Sequence, residues 1–184
     1  MKPRTDATLD TTPAGRLDEG LMGPIVGYQL AQAAVTTNQV FAAAALGAEV
    51  DLRQVEFTIL ALVDANPDLL ATTLARALAV TPPNITMWLD RLASRGLVER
   101  VRSATDRRAQ HLRTTPAGAA TAARLAQRVA EAEQSALGGL TPGERAMLLE
   151  LLHKVARCRG RTTRARRASP VAVRRPVRPE SVRG

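Results

Sequence analysis

The sequence has little of the residue types that carry most site chemistry. Its 184 residues include one cysteine, two histidines, one tryptophan and one tyrosine. A single cysteine cannot form an internal disulfide, and the two histidines lack the spacing of a metal site. The sequence motifs of common hydrolases, nucleotide-binding folds and zinc proteases do not occur either. We therefore expect a protein that is not an enzyme and that needs no metal and no cofactor.

Long apolar runs are also missing. The chain has no stretch of 18 apolar residues and no signal-peptide pattern, so we expect a cytoplasmic, nucleoid-associated protein with no membrane partner. Hydrophobic residues make up 45% of the chain, but much of this is alanine and aromatics are only 2%. Such a composition favours closely packed helices over a thick β-sandwich. The predicted fold class is mainly α with a small β element.

Positive charge is concentrated in two segments. Residues 159–184 hold nine arginines against Glu180, and residues 91–113 hold seven arginines against Glu99 and Asp106. Because the whole chain has a formal net charge of +9, the remaining residues are mildly acidic. A basic segment on a mildly acidic body concentrates the attraction for phosphate on one face.

Hydrophobic periodicity divides the chain into three parts. We expect a flexible arm over residues 1–20, a single domain over 21–158 and a disordered arginine-rich tail over 159–184. Within the domain we predict six helices. Two are expected over about 23–46 and 69–79, and one is expected to be capped by Asp51 and ended by Asn66-Pro67-Asp68. The other three are expected to start at Thr81-Pro82, Thr115-Pro116 and Thr141-Pro142.

The stretch from Thr81 to Thr115 predicts a helix followed by a β-hairpin. The helix has an apolar stripe at helical spacing and ends at Gly96, and the strands are expected over 97–103 and 110–115. A helix that fits a major groove, beside a ribbon with a basic tip, is the arrangement of a winged helix-turn-helix protein. We place this unit at about 51–115, with dimerisation helices at about 23–46 and 116–157.

Three segments carry a resemblance to a known family: DLRQVEFTILALV (51–63), LARALAVTPPNITMWLDRLASRGLVER (74–100) and TDRRAQHLRTTPAG (105–118). With them the chain resembles the MarR family of dimeric winged-helix regulators over roughly residues 22–157. Two positions depart from the family pattern. Ala79 stands where a glycine is common between the two helices of the helix-turn-helix, and Met87 stands where a polar or basic base-reading residue is common.

The resemblance implies a role for the wing tip. In the family, the second arginine of an Asp-x-Arg wing enters the minor groove while the aspartate fixes the wing, and here those positions are Arg108 and Asp106. A guanidinium on a rigid tip is attracted to the negative potential of a narrow A·T-rich minor groove. We predict that Asp106, Arg107 and Arg108 form the DNA-contacting tip. The alternative is that both arginines are solvated and paired with Asp106.

The exposed face of the predicted recognition helix supplies the other DNA-binding candidates. Four residues lie near its start, where such a helix meets base edges: Pro83, Asn84, Thr86 and Met87. Ordinary surface exposure is the alternative for them. Arg91 is expected either to contact phosphate or to pair with Asp90 and Glu99 as scaffolding.

Tyr28 and Trp88 are the candidates for contact with an effector. The position of Trp88 on the apolar stripe favours core packing over ligand stacking, and Tyr28 fits a dimer core as well as an effector site. Cys158 lies beside two arginines, a setting that favours a redox-sensing thiol, yet the redox-sensing members of the family carry their thiol near the first helix. His111 and His153 are interpreted as surface or structural residues.

Together these features predict a homodimeric, sequence-specific DNA-binding repressor that a small aromatic or amphipathic effector releases from a pseudo-palindromic operator. The resemblance alone supplies the effector step. The alternative is an architectural DNA-binding protein that uses the arginine-rich tail without an inducer. Binding of the tail to a membrane or an acidic protein is a third interpretation, but the tail lacks an amphipathic apolar face.

Overall fold

The computed structural model describes residues 17–46, 51–102 and 110–159. Its elements in chain order are a 3-10 turn (Gly20–Met22), α1 (Val26–Ala45), α2 (Gln54–Ala65), β1 (Leu69–Leu70), α3 (Ala71–Leu78), α4 (Pro82–Ser94), β2 (Val98–Arg102), β3 (Gln110–Thr114), α5 (Pro116–Ala136) and α6 (Pro142–Arg157). This confirms the predicted fold class. The chain divides into two compact units, Met1–Leu137 and Gly138–Gly184, and α6 belongs to the second.

The first unit is organised around one apolar core. Its completely buried side chains come mainly from α2, α3 and α4, with contributions from the sheet, and include Ile59, Leu60, Leu74, Ile85, Leu89, Leu92 and Leu112. Helix α5 packs on both α1 and α2 and adds Ala122 and Leu125 to this core. No helix in the described ranges is long and apolar enough to cross a bilayer.

The sheet has three antiparallel strands in the order β1-β3-β2. Leu112 in the central strand pairs with Leu69 of β1 and with Arg100 of β2. The prediction of a helix from residue 69 was therefore wrong at its start, because Leu69 and Leu70 form a strand before α3 begins. Helical propensity could not show this, since the pairing partner lies more than forty residues away in sequence.

The beginning of α2 also differs from the prediction. The helix starts at Gln54 with Arg53 as its N-cap, so Asp51 is not the cap. Instead, the carboxylate of Glu56 accepts the backbone N–H of Arg53 at 3.0 Å. The Glu56 side chain, in the first turn of α2, thus satisfies the backbone N–H of the N-cap residue, which would otherwise bind solvent.

The predicted flexible arm is ordered at its end. Glu19 is buried, and its carboxylate accepts a hydrogen bond of 2.7 Å from Nε2 of Gln29 on α1. Residues 1–16, for which flexibility was also predicted, lie outside the described residues, as does most of the predicted tail.

The three predicted threonine-proline helix starts occur, but only two are capped by the hydroxyl. Thr115 accepts the N–H of Gly118, and Thr141 forms a reciprocal capping box with Glu144. The Thr81 hydroxyl makes no capping bond. Because Pro82 and Pro83 lack N–H groups, the start of α4 has fewer donors for a cap to satisfy.

Gly118 is the last residue of the TTPAG segment (114–118). The sequence interpretation used this segment only as a signal for the start of a helix, whereas the structure gives the glycine a packing role. A Cβ atom at this position would lie 1.9 Å from the backbone oxygen of Leu97, so α5 touches the chain directly after α4. Thr115 strengthens the junction, since its backbone N–H donates to the Leu97 oxygen and its hydroxyl donates to the Gly96 oxygen.

Helices α3 and α4 end in the same backbone motif with different residues. After α4, Gly96 has φ +67°, and the N–H of Leu97 donates to the oxygen of Leu92. After α3, Ala79 has φ +54°, and the N–H of Val80 donates to the oxygen of Ala75. A left-handed conformation suits glycine and strains alanine. This gives a physical reason for the glycine that the resemblance leads us to expect at the position of Ala79.

We expect Gly118→Ala to lower the free energy of unfolding by about 1–3 kcal/mol, because its Cβ overlaps backbone that must shift. The measurement is chemical denaturation. Gly143→Ala is the matched control, since nothing lies within 4 Å of its Cβ position in the first turn of α6. Equal effects of the two substitutions would contradict the close approach of α5 to Leu97.

We expect Ala79→Gly to stabilise the chain by about 0.5–1 kcal/mol, because relief of the left-handed alanine outweighs the extra entropy of an unfolded glycine. Ala77→Gly is the control: it lies on α3 two residues earlier and should destabilise the chain by about 1 kcal/mol. Thermal denaturation of both variants distinguishes them, and a loss of stability in Ala79→Gly would refute the strain argument.

Candidate nucleic-acid interface

Helix α4 buries one side and exposes the other. Its apolar stripe, Ile85, Leu89 and Leu92, is buried to within 1% of full burial. Trp88 is half-buried and packs against the same core, as the sequence interpretation favoured. Because the stripe holds the helix against α2 and α3, the residues on its opposite side remain accessible to a ligand as large as a duplex.

The four residues predicted to face the major groove lie on that accessible side. Pro83, Asn84 and Thr86 are exposed, and 47% of Met87 is exposed. The Thr86 hydroxyl donates to the Pro82 carbonyl at 3.1 Å, and its oxygen can still accept a hydrogen bond. The structure therefore brings these four residues together at the first two turns of α4.

The predicted tip residues Asp106, Arg107 and Arg108 lie outside the described residues. The strands that lead to them are described: β2 and β3 pair from Val98 with Thr114 to Arg102 with Gln110. The predicted ribbon is therefore confirmed, and the role of its tip stays a prediction.

A salt bridge connects the ribbon to α4. Nη2 of Arg100 on β2 lies 2.6 Å from Oδ1 of Asp90. The scaffolding hypothesis expected Asp90 to pair with Arg91, but the structure pairs Asp90 with Arg100 and Arg91 with Glu56. Since both side chains are partly exposed, this bridge adds little stability. It does link the orientation of the helix to that of the wing.

Arg91 pairs with a residue that the sequence interpretation missed. Its Nε lies 3.1 Å from Oε1 of Glu56 on α2, so the predicted partners Asp90 and Glu99 are wrong. The predicted contact of Arg91 with phosphate stays untested. No local signal could reveal Glu56 as the partner, because it is 35 positions away along the chain.

Asp68 anchors the base of the wing, and the sequence interpretation saw only its helix-ending role. Its Oδ1 accepts a hydrogen bond of 2.7 Å from Nε of Arg113 on β3. Its carbonyl oxygen lies 2.7 Å from Nδ1 of His111, which must donate because a carbonyl only accepts. His111 is thus a structural residue, as predicted. Thr114 adds a hydrogen bond of 2.8 Å to Asp64 of α2.

The two effector candidates lie at different places. Tyr28 on α1 is beside Glu19; partial burial, and then the charge and hydrogen bond of that carboxylate, raise the pKa of its hydroxyl. Trp88 packs on the core of the winged-helix unit. Neither lines the open cavity of about 500 Å³ between the end of α1 and the start of α2, whose walls are Phe41, Ala42, Ala45, Leu46 and residues 51–54.

The remaining chemistry of the described residues is sparse. Cys158 is exposed at the end of α6, with its sulfur 3.5 Å from the Lys154 carbonyl oxygen. Within residues 17–46, 51–102 and 110–159, no three His, Cys, Asp or Glu side chains are grouped closely enough to hold a metal ion.

Comparisons with known proteins agree with this geometry. A family model described as the MarR family matches residues 50–109. The structure of the transcriptional repressor CouR bound to a 23-mer DNA duplex superposes with a TM-score of 0.69 at 33% identity, covering 76% of this chain and 98% of CouR. The chain belongs to the MarR family. The proteins that it matches are transcriptional regulators of this family and not enzymes, which confirms the prediction of a regulator without enzymatic activity.

Two further relatives extend the comparison. A MarR variant of E. coli in complex with operator DNA superposes with a TM-score of 0.62 at 27% identity, covering 71% of this chain and 92% of that one. A protein of Thauera aromatica, named as a transcriptional regulatory protein for the hcr operon, is 34% identical over 101 residues, or 55% of this chain. The alignment spans 61% of that relative's own length.

The contact between Asp68 and Arg113 predicts a pH dependence. The hydrogen bond from Arg113 holds the pKa of the Asp68 carboxyl below its usual value against an opposing effect of burial, and the charges of Arg113 and His111 add to the lowering. A lowered pKa in the folded state stabilises the fold above the unfolded pKa of about 3.9, and this contribution is lost as pH falls through the folded value.

We therefore expect Asp68→Asn to be less stable than the wild type at neutral pH, with a difference that shrinks as pH falls below about 4. Thermal midpoints measured between neutral and acidic pH test this. The same substitution in an Arg113→Gln background should have little effect at any pH. A difference that stays constant on acidification would contradict the role of the carboxylate.

Proposed function

We propose that this chain is a homodimeric, sequence-specific repressor that binds a pseudo-palindromic operator and is released from it by a small-molecule effector. The observation that carries the proposal is the exposed start of α4, with Pro83, Asn84, Thr86 and Met87 held outward by the buried stripe behind them. The ribbon of β2 and β3, salt-bridged to the same helix, supplies the second element of a winged-helix grip.

The relatives support DNA as the partner. CouR is a transcriptional repressor whose structure contains a DNA duplex, and the MarR variant of E. coli is in complex with operator DNA. Both superpose on more than two thirds of this chain. The segment of residues 91–113, with seven arginines against two acidic residues, gives the winged-helix unit a net positive charge that attracts the phosphate backbone.

Exposed apolar side chains support the homodimer. Val35 on α1 and Ile25, the N-cap of this helix, are about half exposed, and Leu46 at the end of the helix is 75% exposed. In the second unit, α6 buries none of its side chains. Its exposed apolar residues are Met147, Leu148, Leu149, Leu151, Leu152 and Val155. A helix of this composition gains stability only when another surface covers it, and a second copy is the partner that a two-fold operator requires.

The cavity beside the start of α2 supports the effector step. Its volume of about 500 Å³ suits a small molecule, and its walls combine Phe41 and Leu52 with the polar groups of Asp51 and Arg53. An occupant there would touch both α1 and the segment leading into the winged-helix unit. The effector assignment of Tyr28 and Trp88 stays a prediction, since neither lines this space.

The arginine-rich tail is the feature that favours the alternative of an architectural DNA-binding protein. Nine arginines in residues 159–184 would add salt-sensitive affinity for any duplex and keep the protein at the nucleoid in the cytoplasm. When these residues are deleted, a specific regulator should keep its preferred site and lose only nonspecific affinity, whereas a loss of site preference would favour the architectural protein.

We expect Arg108→Ala to weaken binding to the preferred duplex by about 1–3 kcal/mol, because a guanidinium is removed from the proposed minor-groove contact. The preferred duplex is the one that wild-type protein enriches from a pool of random-sequence duplexes, and gel shifts measure the affinity. Lys154→Ala, which removes one positive charge from α6, is the control and should bind as the wild type does. Unchanged affinity of a folded Arg108→Ala variant would contradict the wing assignment.

A further inference from the structure

Glu56 is unusual among the described residues because its ionisable side chain has no solvent exposure. It lies in the first turn of α2, within the core that contains Ile59 and Leu60. Transfer of a carboxylate from water to such a site costs several kcal/mol unless charges and hydrogen bonds compensate it. The groups that compensate the buried charge of Glu56 therefore indicate the role of this residue.

Arg91 of α4 and Arg95, the C-cap of this helix, converge on this carboxylate. Nε of Arg91 lies 3.1 Å from Oε1, as an ion pair that is not aligned as a hydrogen bond. Nη1 of Arg95, one helical turn later, lies 3.8 Å from Oε2 and also donates to the carbonyl oxygen of Asp51. The second oxygen accepts the Arg53 N–H. One buried group thus connects the start of α2 to the last two turns of α4.

Apolar packing alone leaves the position of α4 incompletely determined. The stripe of Ile85, Leu89 and Leu92 keeps the helix against the core, but apolar contacts are non-directional and tolerate small rotations and translations. A buried charge, in contrast, must lie beside particular charged or donor groups, because the cost of its burial is otherwise not compensated. It therefore restricts the position of its partners even where it adds little stability, since apolar side chains of similar volume often stabilise a core as well. A second ion pair of α4 joins the adjacent residue Asp90 to Arg100 of β2.

We propose that Glu56 is a positioning residue for DNA recognition: through Arg91 and Arg95 it sets the rotation and axial position of α4, and so the placement of Asn84, Thr86 and Met87 in the groove. The inference rests on the proposed function. It assigns Arg91 to the scaffold of the recognition helix, where 37% of its side chain is exposed, and not to phosphate contact.

The test uses Glu56→Gln, which keeps the shape and an acceptor for the Arg53 N–H and removes the charge. Arg91→Met and the double variant complete a double-mutant cycle. For each full-length protein, affinity is measured for the duplex that the wild type enriches from a random pool and for a scrambled duplex of the same composition, at several salt concentrations. Circular dichroism establishes the temperature at which all variants are folded.

We expect each single variant to lower the ratio of enriched-duplex to scrambled-duplex affinity about tenfold, the effect of one mismatched base pair. The double variant should lose no more than either single one, because both break the same connection. Affinity for the scrambled duplex and its dependence on salt should match the wild type, since no phosphate contact is removed. A structural role alone would lower the thermal midpoint and leave the affinity ratio of folded protein unchanged.

Three results would overturn the inference: a wild-type affinity ratio in folded Glu56→Gln, additive losses in the double variant, or a salt dependence in Arg91→Met reduced by about one phosphate contact. If Glu56→Gln does not fold, the same affinity ratio is measured with Arg91→Met. The Arg91 side chain is partly exposed, so its substitution disturbs the core less. A wild-type protein that enriches no duplex would refute the proposed function itself. Enrichment by the wild type with an unchanged Glu56→Gln ratio would refute only the role of Glu56.

Discussion

The burial of one side of α4 is the constraint on which the rest of the structure depends. Ile85, Leu89 and Leu92 enter a core built by α2, α3 and the sheet, and this burial decides which residues of α4 can meet a ligand. The driving force is the removal of apolar surface from water, at roughly 25 cal/mol per Å². The two prolines and the polar residues at the start of the helix become an accessible surface because the opposite side is fixed.

Polar contacts then determine the orientation that apolar packing leaves open. Asp90 connects α4 to β2, Glu56 connects it to α2, and Asp68 connects β3 to the turn between α2 and β1. These pairs differ in environment. The exposed ones contribute little to stability, whereas the buried carboxylate makes its contacts where solvent does not screen them. The winged-helix unit therefore combines a non-directional core with a few directional connections between its elements.

Much of this arrangement could be predicted from local pattern. The threonine-proline starts, Gly96 and the stripe of α4 are short-range signals, because caps and amphipathic spacing act within one or two turns. They placed the helices and the ribbon, and through them the exposed candidates Asn84 and Thr86. The predictions failed where a distant partner decided the outcome: β1 forms because β3 is beside it, and the start of α2 moved to Gln54 because Glu56 satisfies the donor there.

By itself, the sequence determined the order of the helices and of the two wing strands, and the side of α4 that is buried. These follow from spacings and residue types that act within a single element, and three such segments together carried the resemblance to the family. Only the tertiary structure decided that Arg91 pairs with Glu56, that Gly118 must be small and that Asp68 fastens the wing. Each of these contacts joins residues far apart in the chain, and their proximity arises from packing between elements.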